Sequence, residues 1–227
     1  MRFARPLCAG LIAALLAASA HPEDADDPLR VYAVHIERTP KQEGWTGNGV
    51  YLGNGVALTA AHVAGLGLWT SPRVEIAGEA LPTEVLKDGH FHDVDLTLLS
   101  VDQSRLPVRV GLRRLPLCQN APWVGEPVVV ITPERLVRSE VMSPYLLPPG
   151  IPERYQSVVR YVPGIGASGS GILDASRKCL LGIIVRKVSR TQTYYESGQM
   201  VTMPRDIAMV FVPASTIADF IPSEVRF

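Results

Sequence analysis

Gly49-Val50-Tyr51-Leu52-Gly53-Asn54-Gly55-Val56-Ala57-Leu58-Thr59-Ala60-Ala61-His62-Val63 is the stretch on which the reading of the fold turns. Two short apolar runs, Gly49 to Leu52 and Val56 to Thr59, flank Gly53-Asn54-Gly55. An Asn-Gly pair supplies the left-handed residues that a tight hairpin needs. Outward from this hairpin, β-rich runs broken by Gly, Pro, Asn and Asp recur about every ten residues, the rhythm of a sandwich or barrel. Before it stands Val31 to Ile36. After it come Arg73 to Ile76, Leu81 to Leu86, Asp95 to Val101 and Val108 to Leu112, then Pro127 to Thr132, Arg138 to Met142 and Ser157 to Val162. The series ends with Ser170 to Leu173, Leu180 to Lys187, Gln199 to Met203 and Ile207 to Val212. Only Ser215 to Ile221, stopped by Pro222, reads as a helix. Leu115 to Pro122 reads as a linker between halves of about six strands each. The expected fold is therefore all-β, two antiparallel six-stranded β-barrels with a short C-terminal helix, because closure removes exposed strand edges.

The 227 residues are 47% hydrophobic and 19% charged, with 22 Lys and Arg against 22 Asp and Glu. That balance, without a basic run, gives no electrostatic case for a nucleic-acid partner. Arg2 and Arg5 precede an apolar or small run from Leu7 to Ala20, closing on Ala18-Ser19-Ala20 before His21-Pro22-Glu23-Asp24. This is the pattern of a secretory signal peptide over residues 1–20, cut after Ala20, and it predicts a periplasmic or secreted protein. The run is short for a membrane span, so no stable anchor is expected. The N-terminal barrel is then assigned to residues 21–117 and the C-terminal barrel with its helix to 118–227. Cys8 leaves with the leader, and Cys118 and Cys179 stay. An oxidising compartment permits one disulfide between them; two separately buried thiols are the alternative. The proline-rich Ser143 to Pro152 reads as a long loop at the rim of a cleft.

Gly166-Ala167-Ser168-Gly169-Ser170-Gly171 runs straight into Ile172-Leu173. Such a turn can lift the Ser168 hydroxyl clear of the backbone while amide N–H groups point outward, as acyl transfer requires. Alone it is only a turn. A serine needs a base, and every histidine of the mature chain (His21, His35, His62, His90, His92) precedes Ser168. His62 directly follows the strand Val56 to Thr59, with small Ala60 and Ala61 letting the chain turn closely. The imidazole in turn needs a buried acceptor. Asp95 heads the apolar run Leu96-Thr97-Leu98-Leu99, where an unpaired charge is costly; its competitor Asp93 lies in a polar run with His90 and His92. That His90-x-His92-Asp93 cluster lacks further ligands at a recognisable spacing, so no metal is expected. Gly164-x-Gly166-x-x-Gly169 matches a dinucleotide fingerprint without the helix or acid that should follow, so no cofactor is expected either. An α/β-hydrolase would place its histidine after the nucleophile, and none lies beyond Ser168.

Together these stretches resemble the trypsin-like (chymotrypsin-fold) serine peptidases, and more closely the bacterial HtrA-type peptidase domains that lack a zymogen switch. Gly47-Asn48-Gly49-Val50 with Leu58 to Val63 is similar to the family's histidine block, Asp95-Leu96-Thr97-Leu98-Leu99 to its aspartate block, and Gly166 to Ser170 to its serine block. The resemblance covers most of residues 47 to 221 and selects Asp95 over Asp93. It implies a triad of His62, Asp95 and Ser168, an oxyanion hole from the N–H groups of Gly166 and Ser168, and a chymotrypsin-like pair of barrels. It further implies a substrate pocket walled by Val162, Ile165, Ile184, Arg186 and Met209, with no acid at its floor to prefer Arg or Lys. Ala167 cannot pair with a freed N-terminus, and Val185 stands where many relatives place a serine that supports the catalytic carboxylate. No PDZ module is expected after Phe227. The expected activity is exported serine endopeptidase on a protein or peptide substrate. The alternative is a catalytically silent binding or scaffold protein of the same fold, and the sequence carries no signal for oligomeric state.

Overall fold

The computed structural model describes residues 27–39, 47–65, 71–149, 157–162 and 168–227. The leader reading over residues 1–20 falls outside them, as do Gly166 and Ile165. Among the described residues no helix is long and apolar enough to cross a membrane.

The hairpin forms as its sequence demands. β2 (Gly47–Gly53) and β3 (Val56–Thr59) pair antiparallel, Gly49 opposite Thr59 and Gly53 opposite Val56. Gly53, Asn54 and Gly55 take φ values of 127°, 49° and 76°. Around them stand β1 (Ala33–Thr39), β4 (Ser71–Ile76), β5 (Glu79–Asp88) and β6 (Thr97–Val101). The order β1-β2-β3-β6-β5-β4 returns to β1 as a closed antiparallel barrel. Along β4 the pattern has period two: Pro72, Val74 and Ile76 are buried and their neighbours are not.

All six strands of the second sheet follow Cys118: β7 (Pro127–Ile131), β8 (Leu136–Met142), β9 (Val158–Arg160), β10 (Gly171–Asp174), β11 (Leu180–Glu196) and β12 (Gln199–Pro213). Their order β10-β11-β12-β9-β8-β7 is again closed by pairing, β7 against β10. Only the root of the long β11–β12 hairpin belongs to that ring. From Ser189 opposite Asp206 to Glu196 opposite Gln199 the two strands pair only with each other among the described residues. The second sheet is thus a ring with a two-stranded arm rather than a plain barrel.

Two strand expectations need correction. Val108 to Leu112 is helical, α2 (Val108–Gly111), because Pro107 accepts from the N–H groups of Val110 and Gly111 and opens a helical turn. Its apparent alternation was misleading, since only Val110 is buried and Val108 and Leu112 are exposed. Gln199 to Met203 and Ile207 to Val212 are one strand: Pro204 fits inside it at an edge of β12 that no described strand covers, where a missing N–H breaks no ladder bond among the described residues.

One apolar cluster runs from Val34, Leu58 and Leu98 of the first sheet to Val129, Leu173 and Ile183 of the second and on to Ile217 and Phe220 of α3 (Ala214–Phe220). The opposite face of the second sheet buries Val128, Val130, Ile172 and Phe211 in a smaller cluster. β7 reads as an unbroken apolar run because it serves both. Cys118 and Cys179 form a disulfide, Cα to Cα 5.1 Å. Beside it the chain from Pro116 to Cys118 is stitched to Leu180 by two backbone hydrogen bonds of 2.8 and 2.9 Å. Near this seam Glu126 and Asp174 are both 3% exposed. Burial, with Asp174 alongside, pushes the Glu126 carboxyl up. Burial acts in the same sense on Asp174, but hydrogen bonds from Ser176 and from the Arg177 N–H outweigh it and hold that carboxyl low.

Candidate active site

His62 is the second residue of α1 (Ala61–Ala64), the single turn that follows β3. Ala60, extended at φ −74° and ψ 141°, lets the chain double back, and its carbonyl accepts from the N–H groups of Val63 and Ala64. Buried Val63 packs where a side chain on Gly47 would stand, since a Cβ there would lie 2.5 Å from Val63 Cγ1. The turn is thereby fixed with the imidazole one-fifth exposed.

Asp95 is brought to it by a pinched loop. The Gly89 N–H donates to the Leu96 carbonyl at 2.8 Å, and the His90 N–H to that of Val94 at 3.0 Å. A Cβ at Gly89 would sit 2.2 Å from Val94 O, so this approach requires glycine. The result is a carboxylate 1% exposed, with His62 Nδ1 at 2.7 Å from Oδ2 and the His62 backbone N–H donating to Oδ1 at 3.0 Å. Both oxygens thus bond to the same residue, which fixes ring and backbone together. Asp93 stays exposed. Val185, 3% exposed, joins the larger apolar cluster and has no hydroxyl to offer the carboxylate.

Ser168 is held through its backbone. Its carbonyl accepts from the Asn48 N–H at 2.9 Å, and the next N–H, of Gly169, donates to the Ile184 carbonyl at 2.8 Å. Asn48, buried in β2, also reaches Ser170 Oγ with its Nδ2 at 3.0 Å. Its own carbonyl accepts from Thr59 Oγ1 at 2.6 Å. Asn48 therefore joins the serine turn to the end of the strand that leads into His62. Gly169 has φ 86°, and a Cβ on it would lie 1.7 Å from Asn48 O. Asn48, Thr59 and Gly89 position the site without a local sequence mark of that role, apart from an Asn set between Gly47 and Gly49.

The pocket residues separate. Val162, Ile184 and Met209 lie together in the smaller apolar cluster, none more than 7% exposed, so their side chains are core. Arg186 instead places its guanidinium over the Phe91 ring, 5.0 Å from the centroid, and Phe91 meets His62 edge-on at 5.8 Å. That stack of β11 on the Asp95 loop covers one side of the imidazole.

No family model matches the chain, and no curated protein does. Among solved structures, the Rv3671c protease of M. tuberculosis in its inactive form superposes with a TM-score of 0.59 at 15% identity, over 87% of this chain and 91% of that one. HL collagenase gives 0.61 at 15%, over 87% and 95%. The serine endoprotease from Yersinia pestis gives 0.55 at 16%, over 86% and 63%. The fold is that of the chymotrypsin-type serine proteases. In this chymotrypsin-fold domain the histidine follows β3 and the aspartate precedes β6 of the first sheet, the serine turn precedes β10 of the second, and Asn48 is the joint between them.

Proposed function

We propose that the chain is an exported serine endopeptidase that cleaves peptide bonds through His62, Asp95 and Ser168. The observation that carries this reading is the His62–Asp95 pair, a buried carboxylate with both oxygens bonded to one half-buried histidine. With the proton on Nδ1 held by Asp95, Nε2 carries the lone pair. It takes the Ser168 hydroxyl proton as Oγ attacks the substrate carbonyl carbon, and later gives that proton to the leaving amine. Water then repeats the sequence on the acyl-enzyme and frees the acid. The N–H groups of Gly166 and Ser168 receive the developing oxyanion; losing one such donor costs about 3 kcal/mol of transition-state stabilisation. Export is supported by the leader pattern of residues 1–20 and by the disulfide, which persists in an oxidising compartment.

A silent binding protein of the same fold is the second reading, favoured by Val185 and by the buried side chains of Val162, Ile184 and Met209. Labelling with a fluorophosphonate separates the two. The peptidase predicts covalent labelling that Ser168→Ala abolishes; no labelling of a folded wild-type chain leaves the binder.

A further inference from the structure

The arm of β11 and β12 carries an unresolved charge conflict. Arg190 stands directly opposite Arg205 in the ladder, and like charges so opposed weaken a sheet. Among the described residues neither has an acidic partner: Arg205 reaches only the neutral Gln192 Oε1, at 3.5 Å. The nearby acids are already engaged. Glu140 pairs with Arg160, and Asp206 accepts from Lys187 Nζ at 2.9 Å and from Ser189 Oγ at 2.5 Å.

Arg160, Arg190 and Arg205 border one cleft of about 920 Å³, together with Tyr161, Pro204, Ile207 and Asp206, the acid already held by Lys187 and Ser189. The cleft lies against an unfinished ladder. β9 pairs with β12 only at Ala208, Met209 and Val210, and the Tyr161 N–H adds one more bond, to the Ile207 carbonyl at 3.3 Å. From Asp206 to Gln199 no described strand covers the outer edge of β12. A two-stranded ribbon alone in water is marginal, and its open edge is a template for an extended chain.

We propose that this cleft docks an extended acidic stretch of polypeptide, which adds to the edge of β12 that no described strand covers and sets carboxylates against Arg190 and Arg205. The ladder edge selects a polypeptide backbone, and two adjacent guanidinium forks select carboxylates. The balanced charge of the whole chain supplies no wider positive field for nucleic acid. This deepens the proposed function and rests on it in one respect. The acidic stretch is taken to belong to the substrate that the proposed peptidase would cleave. Docking itself requires no hydrolysis.

The test uses the full chain carrying Ser168→Ala, titrated by fluorescence anisotropy with labelled decapeptides in which Glu alternates with Thr, and with the matched Gln and Lys peptides. The Glu peptide alone binds, and raising salt from about 50 to about 300 mM weakens it several-fold. Arg190→Glu with Arg205→Glu weakens it by roughly tenfold or more and admits the Lys peptide. Equal binding of Glu and Gln peptides, displacement of the Glu peptide by an equimolar oligothymidine, or a charge reversal without effect overturns the proposal. Fluorophosphonate labelling of the chain with Ser168 intact is scored separately. A labelled chain without peptide preference removes the acidic site and keeps the hydrolase; peptide preference on an unlabelled chain keeps the site and removes the hydrolase.

Discussion

Replacing Gly169 by alanine attacks the joint that holds the serine turn, and Gly78 provides a matched control. The two glycines have nearly the same backbone, φ 86° and 84°, yet a Cβ on Gly78 meets nothing within 4 Å while one on Gly169 lies 1.7 Å from Asn48 O and 2.6 Å from Asn48 C. The left-handed conformation costs an alanine about 1–2 kcal/mol at either site. At Gly169 the obstructing atoms are backbone of a buried strand, so the turn itself must shift, and forced overpacking of that kind adds about 1–3 kcal/mol. A shift strains the two bonds that anchor the turn, Asn48 N–H to the Ser168 carbonyl and Gly169 N–H to the Ile184 carbonyl. Urea denaturation should show Gly78→Ala losing about 1–2 kcal/mol and Gly169→Ala roughly twice that. The rate of fluorophosphonate labelling should hold in the first variant and fall on the order of 100-fold in the second, since misplacement by about 1 Å carries a penalty of that size. Equal losses of stability with unchanged labelling would refute the claim that Asn48 sets the serine's position.

Asp95→Asn keeps the shape of the buried pair but leaves His62 without a carboxylate to stabilise its imidazolium, so the labelling rate should drop on the order of 10³–10⁴-fold with little change in unfolding midpoint. Replacing Cys118 and Cys179 together by serine opens a crosslink spanning 61 residues; loop-closure entropy puts the loss near 4 kcal/mol, read as a fall in the denaturation midpoint. Glu126→Gln should stabilise at neutral pH. A carboxyl whose folded-state value is raised contributes its stability while protonated, and that contribution disappears as pH rises through the raised value, so the variant should gain at about pH 7.5 and not at about pH 4. The same gain at both values would mean that the acid's charge is not the cause.

What the sequence displayed and what it hid divide along one physical line. The hairpin at Gly53-Asn54-Gly55, the histidine after Thr59 and the aspartate at the head of Leu96 to Leu99 were readable because each is specified by residues within a few positions of itself. The arm was not: from Ser189 to Asp206 it buries almost nothing, so apolar alternation, the usual mark of a strand, is absent, and Pro204 looks like a break. Val108 to Leu112 failed in the opposite way, showing alternation of which the core uses only Val110. The joint was hidden for a third reason. Ser170 and Asn48 are 122 positions apart, and no local pattern reports that one carbonyl, that of Asn48, both accepts from Thr59 Oγ1 and closes the space above Gly169. Yet the consequences are local and visible afterwards: Gly47 makes room for Val63 beside the histidine, and Gly169 makes room for Asn48 beside the serine. Of these glycines Gly169 is the place where one sheet's backbone passes too close to the other's for a side chain, whereas Gly47 clears space for a side chain within the first half. A substitution at Gly169 therefore acts on the distance between the two halves of the site, while one at Gly47 acts on the half that carries the histidine.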